Sequence, residues 1–273
     1  MSLADLSRPG VRLLPSPWDS ARFGLRIARL VVGEGTSGNE LAATLPGLAR
    51  DDDADLVIAR WPAGLVGCGA LLTVPQRVLL PADTLVYWAA DLDTLRVPAH
   101  APNEPVRPAD AGSDPSALER VVTEVFAEYG HHYAANPLLD PALAVAGYAQ
   151  WAARTVADPS SVSAVIQDRQ GAGSLAGLAT ATVDGPVVEV ELAGVTAALA
   201  GSGAYAALLA AVAGQARARG ADRLVISTQA GNIRVQRRWV ALGLRPVSAF
   251  TTVHSIRRLL WEQRADAPQG DPA

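Results

Sequence analysis

Between Leu192 and Gly214 the chain carries no formal charge. Such a run is either a membrane span or a strand and helix buried in a protein interior. Its composition decides between them. Spans are carried by Leu, Ile, Phe and Val, whereas this run is mostly Ala and Gly and is broken at Gly201-Ser202-Gly203. It reads as the end of a strand (Val187–Val195), a glycine-rich turn and a helix (Ala204–Arg219). A strand of that kind needs neighbours, and the surrounding pattern supplies them. Ser116–Glu128 has Leu118, Val121, Val122 and Val125 at helical spacing, and Pro141–Thr155 reads as a second helix. Strands follow at Ser161–Gln167 and Leu175–Val183, then after the central run a strand at Arg223–Thr228, a helix at Ile233–Leu242 and a strand near Pro246–His254. The order predicts an α/β (α+β layered) domain, a mixed sheet with flanking helices.

Upstream lies a second, less regular α/β pattern. Phe23–Val32, Asp55–Trp61 and Thr84–Asp91 read as strands, and Asn39–Arg50 as a helix that Pro46-Gly47 should kink or end early. Pro98–Pro115 concentrates proline, small residues and charge, as linkers do. The expected organisation is a smaller N-terminal domain (1–97), a linker (98–115), a main domain (116–261) and a loose tail (262–273). A chain of 273 residues, 49% hydrophobic and 18% charged, can bury two such cores.

Composition also excludes several chemistries. The net charge is −4 and the pI about 5.6, which argues against a nucleic-acid partner. All 23 basic residues are arginine, so no lysine serves a Schiff base or a P-loop. A single cysteine, Cys68, allows neither an intramolecular disulfide nor a cysteine-rich metal site, and no metal is expected. The N-terminus lacks a continuous apolar signal region. These features together point to a cytoplasmic protein with no membrane association.

Four places could carry chemistry. At Gly201-Ser202-Gly203-Ala204-Tyr205 a strand enters a helix through glycines, where unpaired N–H groups and the helix dipole suit a pyrophosphate; a plain strand–helix corner would look the same. Downstream, Gln229-Ala230-Gly231-Asn232 precedes a helix that Asn232 can N-cap and Gly243 can end, with or without a ligand. In Val187–Glu191, alternation puts Glu189 and Glu191 on one face, either a solvent edge or a general base. Finally, Tyr129, His131, His132, Tyr133 and Asn136 cluster between two helices, in a loop that either is only solvated or grips a hydroxyl-bearing ligand.

In that order these residues resemble the GNAT superfamily of acetyl-CoA-dependent N-acetyltransferases, over roughly Pro115–Arg258. Within it they are most similar to the dTDP-fucosamine acetyltransferase group. Four stretches carry the likeness: Trp18–Gly24, Phe126–Trp151, Leu199–Ala204 and Thr228–Asn232. The resemblance implies the acyl-CoA N-acyltransferase fold, with a partial copy of it as the N-terminal domain. It implies acetyl-CoA as cosubstrate and direct transfer to the amine of a nucleotide-activated deoxy-amino sugar. Another small amine, such as an antibiotic or amino acid derivative, and a non-catalytic acyl-CoA-binding protein are the alternatives. The coenzyme would lie on Ala193, Val195, Gly201, Ser202, Gly203, Ala204, Tyr205, Asn232 and Trp239. Tyr129, Tyr133, Asn136 and Gln229 would hold the amine, with Glu191, His131 or His132 as base. A sheet edge could serve a homodimer, which nothing in the sequence demands.

Two positions depart from the family pattern. The cofactor motif places Tyr205 where glycine or alanine is usual, so its side chain must turn away from the pyrophosphate. The tyrosine expected seven residues after Asn232, which protonates the leaving thiolate, is Trp239, and an indole N–H is no useful acid.

Overall fold

The computed structural model describes residues 2–50, 53–96, 105–168 and 174–265. In chain order its elements are α1 (Leu3–Ser7), β1 (Val11–Pro15), α2 (Pro17–Phe23), β2 (Ile27–Val32), α3 (Gly38–Arg50), β3 (Leu56–Pro62), α4 (Cys68–Leu71) and β4 (Arg77–Asp91). There follow β5 (Val106–Pro108), α5 (Pro115–Phe126), α6 (Pro141–Ala157), β6 (Ser161–Gln167), β7 (Leu175–Asp184) and β8 (Val187–Val195). The last are α7 (Ala204–Arg217), β9 (Arg223–Gln229), α8 (Ile233–Leu242), β10 (Arg245–Arg257) and α9 (Arg258–Ala265).

The chain forms two compact units that differ from the expected division. One comprises residues up to Leu85, His131–Leu143 and the described residues from Ala249; the other comprises Val86–Gly130 and Ala144–Ser248. No single cut after residue 97 can separate them, because β4 and β10 give residues to both. Of the expected linker, 98–104 lies outside the described residues. Val106–Pro108 is instead strand β5, antiparallel to β6, an edge position where proline is tolerated. Of the expected tail, Glu262–Ala265 completes α9 and the rest lies outside the described residues.

In the first unit β1 runs antiparallel to β2, β2 parallel to β3 and β3 antiparallel to β10. Alternation on β3 sends Val57, Ala59 and Trp61 to one core with Leu41 and Leu45 of α3. Leu56 and Ile58 face another, with Ile27, Ile256 and Leu139. The helix α3 continues through Pro46 to Arg50. Proline removes the bond to the Ala42 carbonyl, but Ala42 is exposed, so water can take that carbonyl while Leu41, Leu45 and Ala49 stay buried. The strand expected to begin at Phe23 begins at Ile27: Pro17–Phe23 is helical and stops at Gly24, whose φ of 65° only glycine adopts readily.

The second unit is a mixed sheet in the order β4-β9-β8-β7-β6-β5, antiparallel from β5 to β8 and parallel between β8 and β9. Ala204, Leu208, Leu209 and Val212 of α7 pack on Val188, Val190 and Ile226. Leu118, Val121, Val122 and Phe126 of α5, with Ala149 and Ala152 of α6, cover Leu178 and Leu192 on the other face. Gly194 permits that approach, since a Cβ there would lie 2.2 Å from Val125 Cγ1. This is the α/β layering the sequence predicts, with β6, β8 and α8 at the expected residues. No described helix is long and apolar enough to cross a membrane.

Candidate active site

The site begins with an irregularity in β8. Thr180 pairs with Leu192 but Ala181 pairs with Val190, so Glu191 is an extra residue, a β-bulge. On the other edge, the parallel pairing with β9 ends at Val190↔Ile226, although β8 continues to Val195 and β9 to Gln229. The two strands therefore part just past the bulge. The Thr196 N–H donates to Ala176 O on β7 (2.9 Å), and alternation turns the N–H groups of Ala193 and Val195 to the opposite edge, where β9 has left. The bulge makes this opening: it shifts the alternation, so that Val190 faces the α7 core and Leu192 the α5–α6 core.

The strand then leads through a 3-10 turn at Ala197–Leu199 into α7. Gly201 and Gly203 have φ of 84° and 90°, which is why two glycines stand here. Gly203 is the N-cap, and the first helical bond is donated by Ala207 N–H to the Gly203 carbonyl. The Ala204 N–H is held by Ser202 Oγ, whose own hydroxyl donates to the Leu199 carbonyl. The Ser202 side chain thus braces the turn, and the N–H groups of Tyr205 and Ala206 remain directed out of the helix end, with no acidic residue in the first turn. Such a cradle fits a pyrophosphate without any basic side chain.

Tyr205 turns away from the cradle, as required. Its ring packs against the α7 core and its hydroxyl accepts a hydrogen bond from Trp239 Nε1 (3.0 Å). Burial pushes the Tyr205 hydroxyl above its ordinary pKa. Trp239 is 1% exposed and stands edge-on to Trp88, with ring centroids 6.0 Å apart. The expectation that Trp239 contacts the coenzyme is corrected: its polar atom is already spent inside the core. The periodicity of α8 carried this signal, since Val235, Trp239 and Leu242 share its inner face. Trp239→Phe should leave the Tyr205 hydroxyl unsatisfied and cost about 1–3 kcal/mol, read by urea unfolding.

At the end of β9, Asn232 caps α8 as expected, its Oδ1 accepting from Val235 N–H. Its Nδ2 donates to Thr228 Oγ1 (3.0 Å), which lies 3.2 Å from the Tyr129 hydroxyl. Tyr129 is set by edge-on contacts with Phe126 and Tyr148. Thr228, the link between Asn232 and Tyr129, opens one of the four stretches of likeness but was given no role from sequence. The side-chain Oε1 of Gln229 is buried and has no hydrogen-bond partner among the described residues. A buried acceptor left empty costs about 1–3 kcal/mol, so this atom is suited to an incoming N–H or O–H donor.

Glu191 does not stand free. Its Oε2 accepts from Thr155 Oγ1 and its Oε1 from Thr182 Oγ1, both at 2.6 Å, fastening the bulge to α6 and β7. One lone pair on each oxygen is thereby used.

The remaining candidates, His131, His132, Tyr133 and Asn136, belong to the first unit. The segment read as a loop is a buried 3-10 turn, with His131, His132 and Asn136 all buried. Leu138 N–H donates to Asn136 Oδ1 (3.0 Å), which makes Asn136 Nδ2 the donor to His254 Nδ1 (3.1 Å). His254 then carries its proton on Nε2 and donates to His132 Nδ1 (3.0 Å), so His132 is protonated on Nε2. Burial, with Arg29 and Arg60 nearby, holds His254 down to about 4 and His132 well below its ordinary range. His131 is also lowered by burial, and its Nδ1 accepts from Ala134 N–H. Tyr133 accepts from Arg29 (2.8 Å) and donates to Asp19 (3.2 Å). Tyr133 and Asn136 thus each have hydrogen-bond partners within the first unit. Trp18–Gly24 contributes Asp19, a buried anchor for Arg29, Arg22 and Ser16.

Scans against protein-family models and searches of curated proteins give no match to this chain. Solved structures do resemble it. A GCN5-related N-acetyltransferase from Sphaerobacter thermophilus aligns with 85% of this chain and 73% of its own, at 17% identity and a TM-score of 0.57. A tandem GNAT protein from the clavulanic acid biosynthesis pathway aligns over 85% and 75%, at 16% identity and 0.56. A functionally unknown conserved protein from Staphylococcus epidermidis aligns over 94% and 98%, at 8% identity and 0.62.

Proposed function

We propose that this chain, which has the fold of the GCN5-related N-acetyltransferases, is an acyl-CoA-dependent N-acyltransferase. The observation that carries the reading is the parting of β8 and β9 beyond Val190 and Ile226, with the glycine-turned end of α7 following directly from β8. In this reading the pyrophosphate of acetyl-CoA lies on the N–H groups of Tyr205 and Ala206. The thioester carbonyl lies against the N–H groups of Ala193 and Val195, which stabilise the oxyanion as the carbonyl carbon becomes tetrahedral.

A neutral primary amine attacks that carbon; the C–N bond forms, the C–S bond breaks, and the amine gives up one proton. Gln229 Oε1 accepts an amine N–H and orients the nucleophile. Glu191 takes the proton on a lone pair its threonines leave open, through water. A protonated α-amine of ordinary pKa, about 7.7–8.0, is partly neutral at pH 7, so a weak base is enough. The thiolate leaves unassisted, its thiol pKa being about 8.5; Trp239 gives no proton to it. Alignment of both reactants in one cleft contributes more than any single group.

The amine is that of a nucleotide-activated deoxy-amino sugar, acetylated in the cytoplasm. Support comes from the four stretches similar to the dTDP-fucosamine acetyltransferase group, of which Tyr129 and Gln229 have polar atoms suited to a hydroxyl-rich ligand. The second reading, another small amine, is favoured by the likeness to a tandem GNAT protein from the clavulanic acid biosynthesis pathway. A thiol-release assay with acetyl-CoA separates them. Turnover on a dTDP- or UDP-linked amino sugar, reduced about 10²-fold or more in Glu191→Gln, is the expected result. Turnover only on free amino acid derivatives or antibiotics would favour the second reading, and binding without turnover on any amine a non-catalytic role.

A further inference from the structure

Among the described residues of the first unit, Arg60 is a largely buried arginine that makes no ion pair. Arg60, on β3, pairs in register with Thr252 of β10 and shares the inner face of the strand with Ile58. It is 8% exposed. Among the described residues its guanidinium makes one hydrogen bond, from Nε to Thr252 Oγ1 (3.1 Å), and no ion pair. Other arginines of this unit, half-buried Arg29 and buried Arg77, are compensated. Arg29 is paired with Asp19, and Arg77 donates to Ser255 and twice to the Ala54 carbonyl. Buried charges in proteins are otherwise paired, because leaving one alone in an apolar interior is costly.

What surrounds Arg60 is donor-rich. His254 lies two residues along β10 from Thr252 on the same face, and its tautomer leaves His132 with an Nε2–H. Both imidazoles are neutral and sense Arg60 as a positive neighbour. Arg29 adds a second guanidinium whose one carboxylate, Asp19, is shared with Arg22. Against Arg60, Arg29 and Arg22 stand Asp19 and, acting on His131, Asp83, and the cluster holds several N–H donors with an apolar surround from Ile27, Ile58 and Leu139.

We propose that this face of the first unit binds a small oxyanion, a carboxylate or a phosphate monoester, through the guanidinium of Arg60 and the Nε2–H of His132. The planar fork of the guanidinium, held by Thr252 at Nε, presents its remaining N–H groups to two oxygens at once, the geometry common to both anions. The site belongs to the first unit and the acyl-CoA cradle to the second, and it does not depend on the reaction proposed above.

The test is thermal unfolding at pH 7.5 with inorganic phosphate or acetate, at constant ionic strength set with chloride. The expected result is a saturable rise in Tm with one of the two, which identifies the ligand as phosphate-like or carboxylate-like, and none with chloride. The rise should vanish in Arg60→Met. Arg60→Lys should fold and shift half-saturation about tenfold upward. Gly203→Val, altered only at the cradle, should keep the full rise. The proposal is overturned if neither anion gives a saturable rise, if Arg60→Met keeps it, or if Gly203→Val abolishes it. An Arg60→Met protein that fails to fold, beside an Arg60→Lys with unchanged half-saturation, would equally overturn it.

Discussion

Gly203→Val is expected to weaken acetyl-CoA binding by at least about 100-fold while leaving the folded protein intact. Two costs act together. Gly203 sits at φ 90°, and a β-branched residue is a steric outlier there, at about 1–2 kcal/mol or more. The valine relieves that strain by moving out of the left-handed region, which swings the Tyr205 and Ala206 amides away from a shared target. Each amide bond to a charged oxygen is worth about 1.5–3 kcal/mol, so losing two of them accounts for two orders of magnitude or more. Gly201→Ala is milder. Its φ of 84° carries the conformational cost, but a Cβ there would meet no atom within 4 Å. Titration calorimetry on both variants, with circular dichroism to check the fold, should therefore rank them wild type, Gly201→Ala, Gly203→Val.

Acidification is expected to destabilise the protein from pH 6.5 downward, well before its carboxylates titrate. His254 is neutral in the fold and resists protonation until about pH 4, whereas in the unfolded chain it takes a proton near 6.5. Between those values the unfolded state binds more protons than the native one, so stability falls as pH falls, by about 1.4 kcal/mol per pH unit. Over the window the loss is about 3 kcal/mol, and it levels off below pH 4. His132, depressed for the same reason and bonded to His254, acts in the same direction. The charges facing this pair are Arg29 and Arg60, both positive, with Asp19 reaching it through Arg29 and Tyr133 and Asp83 acting on the neighbouring His131. Asp19 is held below its ordinary range by Arg29, Ser16 and Tyr133 despite burial, so its contribution is lost only at still lower pH. Urea midpoints at pH 7.5, 5.5 and 4.5 should fall in that order, with a shallower slope in His254→Leu. A flat profile over this range would contradict the neutral buried pair.

The second unit was legible because local chemistry and tertiary role coincide there. The uncharged run from Leu192 had to be buried, two glycines at positive φ had to be a turn, and Asn232 and Gly243 bracket α8 with their own caps. The bulge at Glu191 was not legible, because alternation looks the same until a partner strand reveals the extra residue. The histidine cluster misled for a related reason. Polar side chains between two helices read as a loop, either solvated or gripping a ligand, whereas His254 and Asn136, 118 positions apart in sequence, turn out to satisfy one another inside a core. Arg60 was passed over because a lone arginine within an apolar strand carries no local sign of lacking a partner. The units themselves were hidden because β4 and β10 each serve two of them, which no composition shift records.

The most direct test of the account is calorimetric titration of acetyl-CoA into the wild-type protein and Gly203→Val, side by side. The account predicts saturable binding at one site per chain in the wild type and loss of about 100-fold or more in the variant. No heat of binding in the wild type, or equal affinity in the two proteins, would contradict the assignment of the parted strands and the α7 turn as an acyl-CoA site.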